Sequence, residues 1–481
     1  MSVWRKKPVA LYQAEANKSD LNRVLTKWGL TSMGIGAIIG GGIFTLTGIA
    51  AHNHAGPALA LAFVIAGIGC LFASLCYAEF ASVLPVEGSA YAYAYGTIGE
   101  LFAWFIGWNL ILEYMMGATT VAVAWSGYFN KLLHLFHINI PEFLVNDPAT
   151  YNHGLAFGSW NFAFNLPAFL ITWVITGILI KGIKEAASTN NIIVILKVAV
   201  VLFVIIVGSF YVDTNNWEPF IPAEKMGDDG KMHFGVGGVL TAATIVFFAY
   251  IGFDAVSTQA GEAINPKKDV PFAIIASLVI CTILYILVSL VLTGMVKYDQ
   301  LDLKAPVASA FSGAGINWAT YLITIAATAG LMSVMLVMML GQTRIFLGMA
   351  KDGLLPKGMF GTLHPKFKTP YKSTILVGFI VSLVAALTPI EKVSEMCSMG
   401  TLLAFAMVCI AVLVLRIKEP NLDRPYRTPR IYFVAPMGFL FNIFLMTNVQ
   451  ENTWYAFLIW GTIGILVYFL YSRRHSNLNN L

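Results

Sequence analysis

The chain has 481 residues, 58% of them apolar and only 11% charged, where a soluble globular protein carries about 25% charged residues. That balance excludes a water-soluble enzyme or binding module and describes a polytopic membrane protein. About 20 apolar residues cross the hydrocarbon layer, so the chain has room for about a dozen spans and none for a large soluble domain. The net charge of +5 alone would suit nucleic acid, but its distribution along the chain has a plainer origin and no nucleic-acid partner is expected.

The N-terminus, Met1-Ser2-Val3-Trp4-Arg5-Lys6-Lys7, is basic but runs into polar residues rather than an apolar core with a cleavage site, so no removable signal peptide is expected. Apolar runs predict twelve spans, near 29–51, 57–84, 100–130, 166–181, 190–212, 234–260, 272–296, 318–348, 373–388, 396–416, 431–449 and 453–472. With both ends on one side, the terminal arms and alternate loops hold 23 Lys/Arg residues and the opposite loops six, Lys131, Lys225, Lys231, Lys297, Lys304 and Lys392. The positive-inside rule then places both termini in the cytoplasm of a multi-pass cell-membrane protein. Cys70, Cys76, Cys281, Cys397 and Cys409 lie within apolar runs without a CxxC pair and read as small core residues, not as a zinc site or disulfides.

The first span carries Gly34-Ile35-Gly36-Ala37-Ile38-Ile39-Gly40-Gly41-Gly42-Ile43-Phe44. Each glycine costs about 1 kcal/mol against alanine in a helix, and three in a row free backbone groups that lipid cannot satisfy. Close helix packing would explain Gly36 and Gly40 as a small-xxx-small face; it does not require Gly41 and Gly42. The sixth span holds a second irregular stretch, Phe247-Phe248-Ala249-Tyr250-Ile251-Gly252-Phe253-Asp254, and two charges sit in mid-span, Glu113 and Lys197. An ionisable residue there costs about 2.5–3.5 kcal/mol on insertion scales and is a functional candidate by default; the plainer reading is a static tether between helices. At about 1.5 Å per residue, Gly40, Glu113 and Phe248 fall near one depth, with Lys197 just below.

Discontinuous helices at matching positions of two oppositely oriented halves are the mark of an inverted repeat with its solute between them. The expected division is a cytoplasmic arm 1–28, a first repeat 29–212, an extracellular loop 213–233, a second repeat 234–416, two added helices within 417–472 and a cytoplasmic tail 473–481. Asp254 reads as a helix-end acid holding backbone groups, with a direct substrate role as the alternative. Tyr91, Tyr93 and Tyr95 read as an interfacial aromatic cluster, His134 and His137 as a solvated loop face, and Met332, Met335, Met338 and Met339 as helix packing, with Met338 able to touch a substrate.

These stretches, with Ala55-Gly56-Pro57-Ala58, Cys76-Tyr77-Ala78-Glu79-Phe80, Gly88-Ser89-Ala90-Tyr91, Asn265-Pro266, Gly341-Gln342-Thr343-Arg344 and Asp352-Gly353-Leu354-Leu355-Pro356, resemble in order and over essentially the whole chain the amino acid–polyamine–organocation transporters, and among them the bacterial members of the cationic amino acid transporter family. The resemblance implies an all-α LeuT-like fold of twelve transmembrane helices, a 5+5 inverted repeat with discontinuous helices 1 and 6, and alternating access. It places a substrate α-carboxylate on the amides of Gly40, Gly41 and Gly42, and the α-ammonium on the carbonyls of Ile38, Phe248, Ala249 and Ile251. It also makes Phe248 an aromatic gate, sets Glu113 on the substrate side-chain side, and puts Lys197 where sodium-coupled relatives hold sodium, so that the lysine couples transport to protons. Helix physics agrees, since a free helix N-terminus attracts an anion and a C-terminus a cation. Two departures are visible: many relatives have Ser or Thr where Gly41 stands, and Gly261-Glu262-Ala263-Ile264 has fewer charges before Asn265-Pro266 than relatives often show.

The expected function is secondary transport of L-amino acids, cationic or small neutral, by proton symport, with exchange as the alternative. No HExxH, GxSxG, acidic metal cluster or Walker A stretch is present, so neither an enzyme nor an ATP-driven pump is expected, and a channel is disfavoured by the paired breaks. No cofactor is expected. The implied partners are the amino acid, a proton, the lipid bilayer and, as an option, a small single-helix accessory subunit.

Overall fold

The computed structural model describes residues 5–7, 25–83, 89–151, 155–157, 160–182, 186–226, 232–257 and 263–480. Gly88, Gly261 and Glu262, quoted above for the family pattern, lie outside them. The helices are α1 (Lys27–Ile38), α2 (residues 42–55), α3 (Leu59–Val83), α4 (Ser89–Thr97), α5 (Glu100–Leu135), α6 (Leu166–Lys181), α7 (Ala186–Gly208), α8 (Gly235–Phe247), α9 (Pro266–Met295), α10 (Pro306–Gly313), α11 (Asn317–Lys351), α12 (Tyr371–Leu387), α13 (Ile390–Lys418), α14 (Ile431–Met446) and α15 (Glu451–Val467). Among the described residues, eight helical stretches are long and apolar enough to cross a membrane, and α6, α12 and α14 are shorter apolar helices. The protein is thus an all-α polytopic membrane protein.

Local chemistry sets many of the ends. Thr26 caps α1 by accepting a hydrogen bond from the Gly29 amide at 3.2 Å, and Asn165 caps α6 through the Ala168 amide. Pro266 opens α9 at a position where no amide proton is needed. The helical run Gly42–Val83 spans 42 residues, about twice the hydrocarbon thickness if straight; its direction is broken at Gly56, whose φ of +58° suits glycine. The most extensive helix pairings are α5 with α11 and α3 with α9. Small residues set such closeness, as at Gly341 of α11, where an added Cβ would run into the Tyr114 ring of α5.

Several expected boundaries move. The first span divides into α1 and α2, the third runs on to Leu135, the eighth to Lys351, and the tenth begins at Ile390 rather than 396. Helices project past the apolar stretch wherever polar end residues still favour helix. The expected sixth span, 234–260, is regular helix only to Phe247. Short helices α4 and α10 and two antiparallel hairpins, Leu155–Phe157 with Trp160–Phe162 and Lys225–Met226 with Met232–His233, occupy connections read as plain loops. Tyr91, Tyr93 and Tyr95 are not interfacial: all three are buried, Tyr93 stacking on Phe80 and Tyr91 donating to Asp352 at 2.8 Å. His134 and His137 are exposed, as expected.

Both ends of the chain meet at one end of the bundle. The fully buried Glu100 receives the hydroxyls of Ser476 at 2.5 Å, Tyr468 at 3.1 Å and Tyr95 at 3.5 Å, and pairs with Arg5 at 3.4 Å. Arg5 also donates to Asn479, while the Glu100 amide donates to the Arg5 carbonyl. Nearby, buried Glu79 ties α3 to Arg416 and Arg424. At the opposite end His54 and Glu391 pair at 3.2 Å, joining the tip of α2 to α13.

Candidate functional site between two broken helices

A helix end leaves its last four carbonyls without intrahelical donors, and at α1 most of them can be traced. Ile39 leaves helical geometry, with φ −71° and ψ 105°, and its amide bonds the Ile35 carbonyl. The Gly36 carbonyl accepts from Lys197 Nζ at 2.8 Å, as does that of Ile39 at 3.3 Å. The Ile38 carbonyl accepts from the Tyr285 hydroxyl at 2.9 Å. Helix resumes at Gly42 in a π turn, and the first amides of that new start have no intrahelical acceptor.

The second break mirrors the first in chemistry. After α8, Phe248–Tyr250 form a 3-10 turn, Ile251 is extended and Gly252 has φ +120°. The Phe248 carbonyl accepts from the Ile251 amide at 3.2 Å, and the Ala249 carbonyl from Tyr285 at 3.0 Å. The breaks touch: a Cβ on Gly42 would lie 2.3 Å from Ala249 Cα, and one on Gly252 would lie 2.9 Å from the Ala37 carbonyl carbon. Ile38, Gly40, Gly41, Gly42, Phe248, Ala249 and Ile251 therefore gather around one crossing, all buried.

The other candidates lie around it. Gly41 faces Ala124, Val121 and Leu331, and Gly40 faces Val334. Met338 Sδ and Cys397 Sγ stand 3.5 and 3.6 Å from where a Cβ on Gly117 would be, one turn from Glu113 along α5. Glu113 is 1% exposed, its carboxylate beside the Thr401 hydroxyl of α13. Asp254 takes backbone donors of its own turn, as expected of a helix-end acid, yet its Oδ2 has no partner among the described residues. Lys197 is set apart from these acids, its stem packed on Gly330 of α11. An open polar cleft of about 610 Å³ lined by Asn130, His134, Glu142 and Lys304 lies at the far end of α5, about 25 Å from Glu113 along the helix.

Tyr285 escaped the sequence reading. It looks like any tyrosine in an apolar run, and only its burial against two broken helices reveals that one hydroxyl serves the carbonyls of both. Tyr285→Phe leaves two buried acceptors without that proton, at about 1–3 kcal/mol, and is expected to lower the thermal midpoint of the detergent-solubilised protein by about 1–3 degrees. An unchanged midpoint would show that the bridge contributes nothing.

A helical bundle crossing the membrane many times, with two broken helices facing each other in its core, is the architecture of a multi-pass membrane permease. The family model for amino acid permeases matches residues 25–469, and the chain belongs to that family, within the amino acid–polyamine–organocation superfamily. It is 46% identical to the branched-chain amino acid permease BcaP of Bacillus subtilis and 43% identical to the methylthioribose transporter of the same organism, each over 99% of both chains. It is 38% identical to the vacuolar cationic amino acid transporter 4 of Arabidopsis thaliana over 84% of this chain and 64% of that one. Amino acid transport is the function this membership carries.

Proposed function

We propose that the protein moves an L-amino acid across the cell membrane by alternating access, with both termini cytoplasmic and a proton as coupling ion. Residues 29–212 and 234–416 act as two inverted five-helix repeats, 213–233 joins them outside, and the helices of 417–472 are additions. The observation that carries this reading is the contact of the two breaks at Gly42 and Ala249, which sets amide donors of one helix start beside carbonyls of two helix ends. A zwitterion needs that pairing. The amides of Gly40, Gly41 and Gly42 take the α-carboxylate; the carbonyls of Ile38, Phe248, Ala249 and Ile251 take the α-ammonium, a carbonyl having a second lone pair beside any existing bond. Phe248 closes over the substrate.

Lys197 replaces a bound cation in holding the end of α1, and a change in its protonation releases that end. The substrate side chain extends toward Glu113 and Met338. Val121, Ala124 and Leu331 around Gly41, with the similarity to a branched-chain permease, favour an aliphatic side chain; Glu113, with the similarity to cationic amino acid transporters, favours a cationic one. Exchange is the alternative to symport, and a single-helix accessory subunit is an optional partner. The test is uptake into proteoliposomes, screening amino acids with and without an imposed proton gradient. Accumulation of an aliphatic or cationic amino acid that rises with the gradient is expected. Uptake only against preloaded amino acid would establish exchange, and no uptake of any amino acid would overturn the reading.

A further inference from the structure

Tyr128 of α5 is fully buried. Its hydroxyl donates to the Phe44 carbonyl at 2.7 Å, and the two rings meet edge-on with centroids 6.1 Å apart. Phe44 lies in the π turn Gly42–Leu46 with which helix resumes after the first break. A hydroxyl has one proton to give and two lone pairs, so with its proton on Phe44 the Tyr128 oxygen remains an acceptor.

The donors it meets belong to α10, the short helix in the connection between α9 and α11, whose first turn can be followed amide by amide. Asp302 Oδ1 accepts from the Lys304 and Ala305 amides at 2.7 and 2.8 Å. Pro306 has no amide proton, and the Ser309 amide bonds the Ala305 carbonyl at 2.9 Å. Val307 and Ala308 remain, in the turn where a helix has no acceptor of its own, and Ala305 brings no capping side chain. Both residues are buried, and a buried amide needs an acceptor. The Tyr128 hydroxyl stands at these two amides. Backbone packing independently brings the three elements together: an added Cβ on Gly127 of α5 would lie 3.0 Å from the Lys304 carbonyl oxygen, and one on Gly48 of α2 would lie 2.6 Å from the Asp302 carbonyl oxygen and 2.8 Å from Pro306 Cβ.

We propose that Tyr128 is a positioning residue for transport: one hydroxyl caps α10 from a neighbouring helix and holds the Phe44 carbonyl, so that α10 fixes the π turn and, through it, the amides of Gly40, Gly41 and Gly42. A shift of α10 away from α5 either leaves two buried amides without an acceptor or draws the hydroxyl off Phe44, two residues beyond Gly42. Phenylalanine at 128 keeps the ring and its packing but offers neither proton nor lone pair. The consequence for transport rests on the carboxylate placement proposed above; the cap on α10 does not.

Uptake kinetics of the full-length protein in proteoliposomes, with L-isoleucine and L-arginine as probes, test the role together with hydrogen exchange of the peptide that contains Val307 and Ala308. The control is Tyr321→Phe, because Tyr321 of α11 donates to the Leu135 carbonyl at 2.9 Å at the end of α5, a bond of the same kind away from both breaks. Tyr128→Phe is expected to raise the concentration for half-maximal uptake by about three- to tenfold, the worth of one hydrogen bond, to change the maximal rate by less than about twofold, and to speed exchange in the α10 peptide. Tyr321→Phe is expected to change none of these. Asp302→Ala loosens the start of α10 without altering α5 or α2 and covers the case in which Tyr128→Phe fails to fold; it is expected to raise the same concentration at least about twofold. An unchanged half-maximal concentration in either α10-directed variant overturns the proposal, even with a lower thermal midpoint, since the bond would then serve stability alone. An equal rise in Tyr321→Phe also overturns it. No uptake of any amino acid by the wild type would sink the transport reading instead, and exchange at Val307 and Ala308 would still decide the cap.

Discussion

Gly42→Val is expected to reduce amino acid uptake by proteoliposomes to the level of empty vesicles, while Gly41→Ser keeps it within about a factor of five, the equivalent of about 1 kcal/mol. The two glycines are neighbours with opposite surroundings. A Cβ on Gly42 would sit 2.3 Å from both Cα and Cβ of Ala249 and 2.9 Å from its amide nitrogen, against about 3.5–4.0 Å for comfortable carbon contacts. The obstacle is backbone and cannot rotate away, so the two breaks must part by more than about 1 Å, and a site of fixed donors tolerates about 0.5 Å. A Cβ on Gly41 would meet Ala124 at 3.4 Å and Leu331 and Val121 at 3.8 Å, ordinary packing distances. Monodisperse elution of both variants separates a damaged site from a failed fold. Wild-type uptake in Gly42→Val would sink the placement of the carboxylate at this crossing.

Lys197→Met is expected to lower uptake at least about tenfold and to remove whatever pH dependence the wild type shows between neutral and alkaline conditions. The ammonium supplies donors to two carbonyls that α1 cannot satisfy for itself, and hydrogen bonds from a charged donor are worth about 1.5–3 kcal/mol each. Removing a buried charge also relieves its desolvation, and methionine keeps much of the packing against Gly330, so stability changes far less than activity. Uptake and pH profile identical to the wild type would reduce Lys197 to a passive tether. A large fall in thermal midpoint without a transport defect would do the same.

The two breaks were legible because glycine repeats and a mid-span acid contradict what lipid demands of a helix. Lys197 and Glu113 were legible for the same reason, as charges where water is absent. Tyr285 was not, since composition distinguishes buried from lipid-facing positions only coarsely and says nothing of which neighbour a hydroxyl meets. Tyr91, Tyr93 and Tyr95 misled because alternating aromatics near a span end have the same composition at an interface and in a helix packed beneath the bundle. Asp254 was read correctly as an acid that holds backbone groups of its own turn. Glu100 drew no notice at all, because its partners come from both ends of the sequence.

That last arrangement bears on the order of synthesis. Arg5 leaves the ribosome long before Tyr468, Ser476 and Asn479, yet all converge on or beside Glu100. Until α15 has been inserted, this carboxylate has, among the described residues, only Arg5 and Tyr95 for company. The contacts at that face of the bundle are therefore completed only after α15 has been made, and a chain cut short of Ser476 would leave Glu100 without that hydroxyl.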